Sequence, residues 1–226
     1  HWRAGGGAYL SWHMPDVPWH EEGEDTAAVA AWQELLNLGL RCDLQAVTVH
    51  VPRVPVGVMP PGSAAWRSVA ELYCRLLAPA AARGARLCIE NMHMHAPEAP
   101  DATRRYGYLP GECLAWVAEL RSRLGRETVA ALLDLGHARN NSPFAGAFTL
   151  GAWYALIGRE AGGYHVHQVV TTEAGMANHQ ALTGLHGPLI SLSSFLWAWH
   201  VGQLNHGPVF LEITDPEGQM RSLRAV

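Results

Sequence analysis

Side chains that can bind a metal ion or move a proton recur in this sequence at the ends of short apolar runs. Glu90 ends Leu-Cys-Ile, Asp134 ends Ala-Leu-Leu, and Glu212 ends Val-Phe-Leu. Histidines follow or close the remaining runs, namely His13, His50, His165 and His167. A further histidine, His137, lies three residues after Asp134. Carboxylate oxygens and imidazole nitrogens form the mixed ligand sets that Zn, Mn, Fe and Co accept. The pattern therefore favours a divalent-metal site.

The carboxylates carry most of this interpretation. An ionised Glu or Asp at the end of a buried strand is costly unless it is paired, and several such groups around one cation relieve each other. A single strand-end histidine is more often structural, but all six runs carry a ligand-type side chain. We predict Glu90, Asp134 and Glu212 as the firmest ligands, followed by His167. His165, two residues earlier, points to the same face of the strand.

The apolar runs must be the elements that bring these side chains together. They are Ala8–Trp12, Ala46–Val51, Arg86–Ile89, Val129–Leu135, Tyr164–Val170 and Val209–Ile213. They lack the alternation of half-exposed strands, which is typical of parallel strands buried on both faces. Stretches of helical period lie between them: Ala27–Leu38, a helix capped by Ser63, Gly111–Leu124, Ala145–Ile157 and Ser191–Leu204.

This alternation predicts an α/β fold, a TIM-type (β/α) barrel that forms a single domain over residues 1–226. In such a barrel the C-terminal ends of the strands meet at one mouth, where sites are built. Six strand–helix units are visible, whereas a barrel closes with eight. We therefore expect the first two units to be missing from this chain or irregular.

Composition limits the classes of partner. The formal charge is −4, and the 16 basic residues are all Arg and are scattered. Nucleic-acid binding is therefore not expected, because it usually needs a basic patch. No apolar run reaches the roughly 18 residues of a membrane span. The four cysteines lie in apolar stretches without a CxxC pair and are predicted to be buried free thiols, which fits a cytoplasmic location.

At the residues named above, the chain resembles the xylose-isomerase-like superfamily, which includes class II AP endonucleases and sugar-phosphate isomerases and epimerases. The similar segments are Cys88-Ile-Glu-Asn91, Leu133-Asp-Leu-Gly-His137, Val166-His-Gln-Val169, Asn178-His-Gln-Ala-Leu182 with Gly187-Pro-Leu-Ile190, Val209-Phe-Leu-Glu-Ile213, and Val49-His-Val-Pro52. Their order and spacing match from about residue 8 to residue 216. The series is fairly specific for fold and metal, and much less so for the reaction.

The resemblance implies a central metal site of Glu90, Asp134, His167 and Glu212. It implies that His137 binds substrate in the isomerases or a further metal in the endonucleases. His13, His50 and His179 match positions that add metals in the endonuclease branch. The chain departs from that branch at Ala177, where an Asp is expected, and it lacks the acidic residue usual after the His at position 167.

These features predict an isomerase or epimerase of a small sugar or polyhydroxy carbonyl compound, acting through a metal-stabilised enediolate. Glu90 and Glu212 are the expected acid/base pair, and His137 is expected to polarise the carbonyl. His13 and His50 are open between ligand, substrate contact and structural residue. Trp12 is a candidate apolar wall, although core packing is the commoner role for such a residue.

Two alternatives remain open at this stage. One is a metal-dependent phosphodiesterase resembling an AP endonuclease, with His13, His50 and His179 holding additional ions. The other is a degenerate, non-catalytic member of the superfamily. Tryptophans on the predicted outer helices, Trp153, Trp197 and Trp199, are candidates for a homo-oligomer contact, although two of the three are expected to be buried.

Overall fold

The computed structural model of the chain describes residues 9–94, 100–141, 144–173 and 175–225. Its strands are β1 (Ser11–His13), β2 (Ala46–His50), β3 (Arg86–Glu90), β4 (Val129–Asp134), β5 (Ala161–Val166), β6 (Gln168–Thr172), β7 (Gly175–Gln180) and β8 (Val209–Leu211). Six of them form one sheet in the order β1-β2-β3-β4-β5-β8, in which every pairing is parallel. The strands β6 and β7 form a separate antiparallel hairpin.

Helices connect the parallel strands. They are α1 (Thr26–Leu40), α2 (Ala64–Ala82), α3 (Pro110–Leu124), α4 (Leu135–Arg139), α5 (Leu150–Ile157), α6 (Leu192–His200) and α7 (Pro216–Ala225). Their starts follow ordinary capping chemistry. The Asp25 carboxylate accepts hydrogen bonds from the backbone N–H groups of Ala27 and Ala28, and Ser63 caps α2 as the sequence predicts.

The sheet curls into a partial barrel, so the predicted TIM-type architecture is confirmed. All residues of β4 and β5 are buried, as expected for strands covered on both faces. Side chains from the two edges of the sheet approach each other. The His13 Nε2 and Glu212 Oε1 atoms are 4.0 Å apart, and the ring centroids of Tyr9 and Phe210 are 6.0 Å apart.

The structure corrects the predicted elements at several places. The run Tyr164–Val170 is divided between two strands in different sheets, since β5 ends at Val166 and β6 of the hairpin begins at Gln168. The predicted helix Ala145–Ile157 is instead a 3₁₀ turn at Phe144–Gly146 followed by α5, and Thr149 is the N-cap of α5. Most of the hairpin and all of α7 fall outside the predicted strands and helices.

Burial of the cysteines and tryptophans is also only partly as predicted. Cys88 and Cys113 are buried, but Cys42 is exposed and Cys74 is partly buried. Trp153 is fully buried, whereas Trp197 on α6 is 66% exposed. A subunit contact at Trp197 stays a prediction. No helix among the described residues is both long and apolar enough to cross a bilayer.

Candidate metal centre

The parallel topology places the predicted site residues at one end of the sheet. His13, His50, Glu90 and Asp134 are the last residues of β1, β2, β3 and β4, respectively, and Glu212 directly follows β8. Because parallel strands end at the same edge, these five side chains meet without any long-range loop having to carry them there.

Glu90 lies at the centre of this group and is completely buried. Its Oε2 accepts a hydrogen bond from His13 Nε2 at 2.8 Å, and its Oε1 accepts one from His165 Nδ1 at 2.9 Å. The nitrogens His50 Nε2 and His137 Nδ1 lie 3.5 and 3.6 Å away. Burial raises the pKa of the Glu90 carboxyl, but the imidazoles outweigh this effect and hold that pKa well below its usual range.

The imidazoles next to Glu90 respond in the opposite direction. Burial lowers the pKa of His13 and of His165, yet the Glu90 carboxylate raises both above the ordinary histidine value. Both ring nitrogens of His13 face acceptors, since Nδ1 lies 3.0 Å from the Met14 carbonyl oxygen. The Glu90 carboxylate therefore favours the protonated form of both rings.

Asp134 is also fully buried and has one oxygen without a partner. Its Oδ1 accepts from the backbone N–H of His137 at 2.6 Å and from His167 Nε2 at 3.1 Å. Its Oδ2 is buried without a hydrogen-bond partner among the described residues. Burial raises the pKa of the Asp134 carboxyl, but His137 and His167 lower that pKa by more than burial raises it. The carboxyl therefore stays ionised. A buried ionised oxygen without a donor is the kind of group that a cation satisfies.

Glu212 shows the same lack of a donor at one oxygen. Its Oε2 lies 3.1 Å from His165 Nδ1, but without the geometry of a hydrogen bond, because that nitrogen is already directed at Glu90. The Glu212 side chain is 29% exposed, which makes it the most accessible of the three carboxylates.

His167 is held between Asp134 and the hairpin. Its Nδ1 accepts a hydrogen bond from the backbone N–H of His179 at 2.9 Å, so its Nε2 carries the proton that is donated to Asp134. The carbonyl oxygen of Gln168 lies 3.2 Å from Nδ1 and would accept a hydrogen bond from it if the ring proton moved to Nδ1 and Nε2 bound a metal instead. His179 itself adopts φ 58°, which is uncommon for a residue other than glycine.

The described residues contain three overlapping sets of possible metal ligands, and within each set the ligand atoms lie within 4.8 Å of one another. They are Glu90, Asp134, His137 and Glu212; His137, His167, His179 and Glu212; and His13, Glu90, His165 and Glu212. Glu212 belongs to all three. The donors and the unpartnered Asp134 oxygen fit a divalent ion in the N/O environment that Zn, Mn, Fe and Co prefer.

Comparison with known proteins identifies structures of similar fold. No protein-family model and no curated protein sequence matches the chain. Solved structures do match. A putative xylose isomerase from Rhodospirillum rubrum aligns at TM-score 0.69 and 15% identity, over 99% of this chain and 76% of that one.

A D-tagatose 3-epimerase-like protein aligns at TM-score 0.63 and 16% identity, over 98% of this chain and 77% of the other. A xylose isomerase-like TIM barrel protein from Mycobacterium smegmatis, in complex with magnesium, aligns at TM-score 0.60 and 15% identity, over 99% and 74%. The chain has the xylose-isomerase-like TIM barrel fold. The resemblance that the strand-end motifs indicated is therefore confirmed for the fold.

One predicted site residue lies apart from the others in this barrel. Trp12 precedes His13 on β1 and therefore points to the opposite face of the sheet. A Cβ atom on Gly39 of α1 would lie 3.0 Å from Cγ of the Trp12 ring, so the ring packs against that helix. The substrate-wall role of Trp12 stays a prediction, which this packing does not support.

Two polar residues at the mouth of the barrel were not singled out from the sequence. Asn91 follows Glu90, and its amide clamps the backbone of Asp134, accepting from N at 2.8 Å and donating to O at 3.1 Å. The Asn91 carbonyl also accepts from His137 Nδ1 at 3.0 Å. The other is Asp16, three residues after His13, which contacts His50. Their only sequence signal is that each closely follows a strand end.

Gly136 provides a test of the His167 position. A Cβ atom at Gly136 would lie 1.9 Å from His167 Cε1, so the imidazole must shift from its present position in Gly136→Ala. We expect metal affinity to fall by roughly 10–100-fold, the usual cost of disturbing a group that orients a ligand. Isothermal titration with Zn²⁺ or Mn²⁺ measures it.

The matched control is Gly111→Ala in the first turn of α3, where a Cβ atom meets nothing within 4 Å. Circular dichroism verifies that both variants fold. Equal metal affinity in Gly136→Ala and the unsubstituted protein would show that the His167 ring position does not matter for the ion.

Proposed function

We propose that this protein is a divalent-metal-dependent isomerase or epimerase of a small sugar or polyhydroxy carbonyl compound. The observation that carries the proposal is the convergence of Glu90, Asp134 and Glu212 with His137 inside one 4.8 Å cluster that contains a buried, unpartnered carboxylate oxygen. The isomerase and epimerase names of the structural neighbours support the reaction class.

The histidine-rich ligand set supports Zn, Mn, Fe or Co as the metal, because Mg²⁺ prefers oxygen ligands. A bound ion of this kind supplies a Lewis acid that stabilises negative charge on the oxygens of an enediolate. The chain's own residues then have to bind the polyol, exclude water and move a proton between adjacent carbons.

Glu90 and Glu212 are the proposed acid/base pair. They come from β3 and from the end of β8, on different sides of the barrel mouth, so they approach a substrate from different directions. Glu212 is partly accessible, whereas Glu90 is completely buried. This asymmetry gives the pair different environments, which is how two carboxylates divide the roles of acid and base.

His137 has a defined orientation in this scheme. Its Nδ1 donates to the Asn91 carbonyl, so Nε2 of the neutral ring offers a lone pair. That lone pair suits a substrate hydroxyl or a metal. Polarisation of a carbonyl by His137, as the sequence predicts, requires the doubly protonated ring.

A second candidate is phosphodiester hydrolysis with more than one ion. It is favoured by the positions of His13 and His179, because His13 belongs to one of the three metal-ligand clusters and His179 belongs to another. The absence of Lys and the formal charge of −4 count against a nucleic-acid substrate.

Elemental analysis of the purified protein, combined with turnover assays in D₂O, tests the proposal. We expect at least one bound divalent ion per chain, and deuterium incorporation at the carbon next to the carbonyl of a ketohexose such as D-tagatose or D-fructose. Cleavage of a phosphodiester without deuterium incorporation would support the second candidate. A protein that retains no ion and turns over neither substrate would contradict both.

A further inference from the structure

His50 is held by contacts that determine which of its ring nitrogens faces the pocket. Its Nδ1 lies 2.7 Å from Asp16 Oδ1, and its backbone carbonyl oxygen accepts a hydrogen bond from the Tyr73 hydroxyl at 2.9 Å. Its Nε2 points the other way and lies 3.5 Å from Glu90 Oε2, at the centre of the site.

Asp16 is itself anchored. Its Oδ2 accepts a hydrogen bond from Arg53 Nη1 at 2.9 Å. Two hydrogen bonds fix the two residues just before it: Met14 N donates to the Thr48 carbonyl at 2.9 Å, and Trp32 Nε1 donates to the Pro15 carbonyl at 3.0 Å. The carboxylate is therefore preorganised, unlike a typical exposed ion pair between two flexible side chains.

These contacts fix which nitrogen carries the proton when the His50 ring is neutral. A guanidinium has only donors, so it binds an Asp16 oxygen and leaves the other oxygen for His50. A carboxylate oxygen can only accept, so Nδ1 must carry a proton. In the neutral ring, Nε2 then has a free lone pair directed into the pocket.

We propose that Asp16, anchored by Arg53, is a positioning residue that holds His50 in the Nδ1–H tautomer. The His50 Nε2 lone pair then accepts a hydrogen bond from a hydroxyl group of the substrate. The identity of that hydroxyl donor rests on the proposed sugar substrate, but the tautomer does not.

Arg53 makes Asp16→Asn a sharp probe. The side-chain amide of the variant has one acceptor oxygen, and Arg53 takes it, because the alternative places an NH₂ group against a guanidinium. The NH₂ group then faces His50 Nδ1 and donates to it. This forces His50 into the Nε2–H tautomer, so that its lone pair no longer faces the pocket.

Nitrogen-15 NMR of the imidazole rings, on the full chain with Zn²⁺ added, reads this tautomer directly. We expect His50 to carry its proton on Nδ1 in the unsubstituted protein and on Nε2 in Asp16→Asn. Arg53→Leu is the matched control: it removes the anchor but leaves a carboxylate at position 16, so the Nδ1–H tautomer persists. In Asp16→Asn/Arg53→Leu the amide is free to turn, and the Nδ1–H form returns at least in part.

Activity follows the tautomer in this proposal. Turnover of the ketohexose in Asp16→Asn should fall by roughly 10–100-fold and recover at least in part in the double variant, whereas Arg53→Leu alone should cost less, because the carboxylate at position 16 still holds the Nδ1–H tautomer. An Nδ1–H signal retained in Asp16→Asn would overturn the inference, whatever the activity. Failure of the sugar assay alone would count against the proposed function and leave the NMR result to decide the role of Asp16.

Discussion

Replacing Glu90 by Gln is expected to remove the bound ion and to lower turnover by on the order of 10²–10⁴-fold, the range associated with loss of a catalytic acid or base. Among the described carboxylates of the site, Glu90 alone accepts hydrogen bonds from two imidazoles, and two further imidazole nitrogens lie within 3.6 Å of its oxygens. An amide at this position loses the negative charge and offers only one oxygen as a ligand.

The neighbouring histidines should report the same substitution. The Glu90 carboxylate raises the pKa of His13 and of His165, so in Glu90→Gln both pKa values should fall. NMR titration of the imidazoles measures this change, and elemental analysis measures the ion. Circular dichroism separates loss of the site from general unfolding, because an unfolded chain would also lose the ion and return these histidines to their ordinary pKa.

Glu160→Gln is the matched control. Glu160 immediately precedes β5, at the opposite end of the barrel from the site, and it pairs with Arg121. Its substitution should leave metal content and turnover unchanged. If Glu90→Gln retained the ion in the same amount as Glu160→Gln, the metal centre would have to be built without Glu90.

The strand-end residues were accessible to sequence reasoning for a physical reason. A buried parallel strand reads as a continuous apolar run, and the first polar residue after it marks the edge where all such strands end. Glu90, Asp134 and Glu212 were found in this way, and all three belong to the clusters at the barrel mouth. The ion and the division of roles among these residues remain predictions.

The contribution of the hairpin could not be read in the same way. The segment Gln168–Gln180 has few apolar residues facing a core, so its pairing is set by tertiary context and not by a hydrophobic pattern. His179 enters the site through a backbone conformation with φ 58°, which no residue type in that stretch announces. The resemblance pointed to His179, whereas periodicity did not.

Asp16 marks a second limit. Its role depends on a ring in β2, 34 residues further along the chain, and on an arginine after that strand. Each of the three residues is unremarkable by itself, because an exposed Asp and an exposed Arg are ordinary surface residues. Only their distances show that the carboxylate orients His50.

Adding metal to chelator-treated protein is expected to stabilise the fold, and more strongly at pH 8 than at pH 6. A ligand present at 100 times its Kd adds about 2.7 kcal/mol to the free energy of unfolding. For a chain of this size that corresponds to a rise in Tm of roughly 5–11 °C. Calorimetry with and without Zn²⁺ or Mn²⁺ measures the shift.

The sign of the pH effect follows from the histidines. Nearby carboxylates raise the pKa of His13, His165 and His167 above the unfolded value, against the opposing effect of burial. The stability they contribute is complete below about pH 6.5, the unfolded histidine pKa, and is lost as the pH rises through their folded pKa values. His179 acts in the opposite sense, because burial and the charge of His167 lower its pKa, but it is outnumbered.

Above neutral pH the metal-free protein therefore has ionised carboxylates at Glu90 and Asp134, and fewer protonated imidazoles offset their negative charge. A divalent ion supplies the positive charge that these imidazoles no longer provide. It also has fewer protons to displace from its ligands, so the stabilisation by metal grows with pH. Glu90→Gln serves as the control and should show almost no metal-dependent rise in Tm at either pH. A metal-induced shift that shrinks between pH 6 and pH 8 would mean that these histidines do not compete with the ion for the same carboxylates.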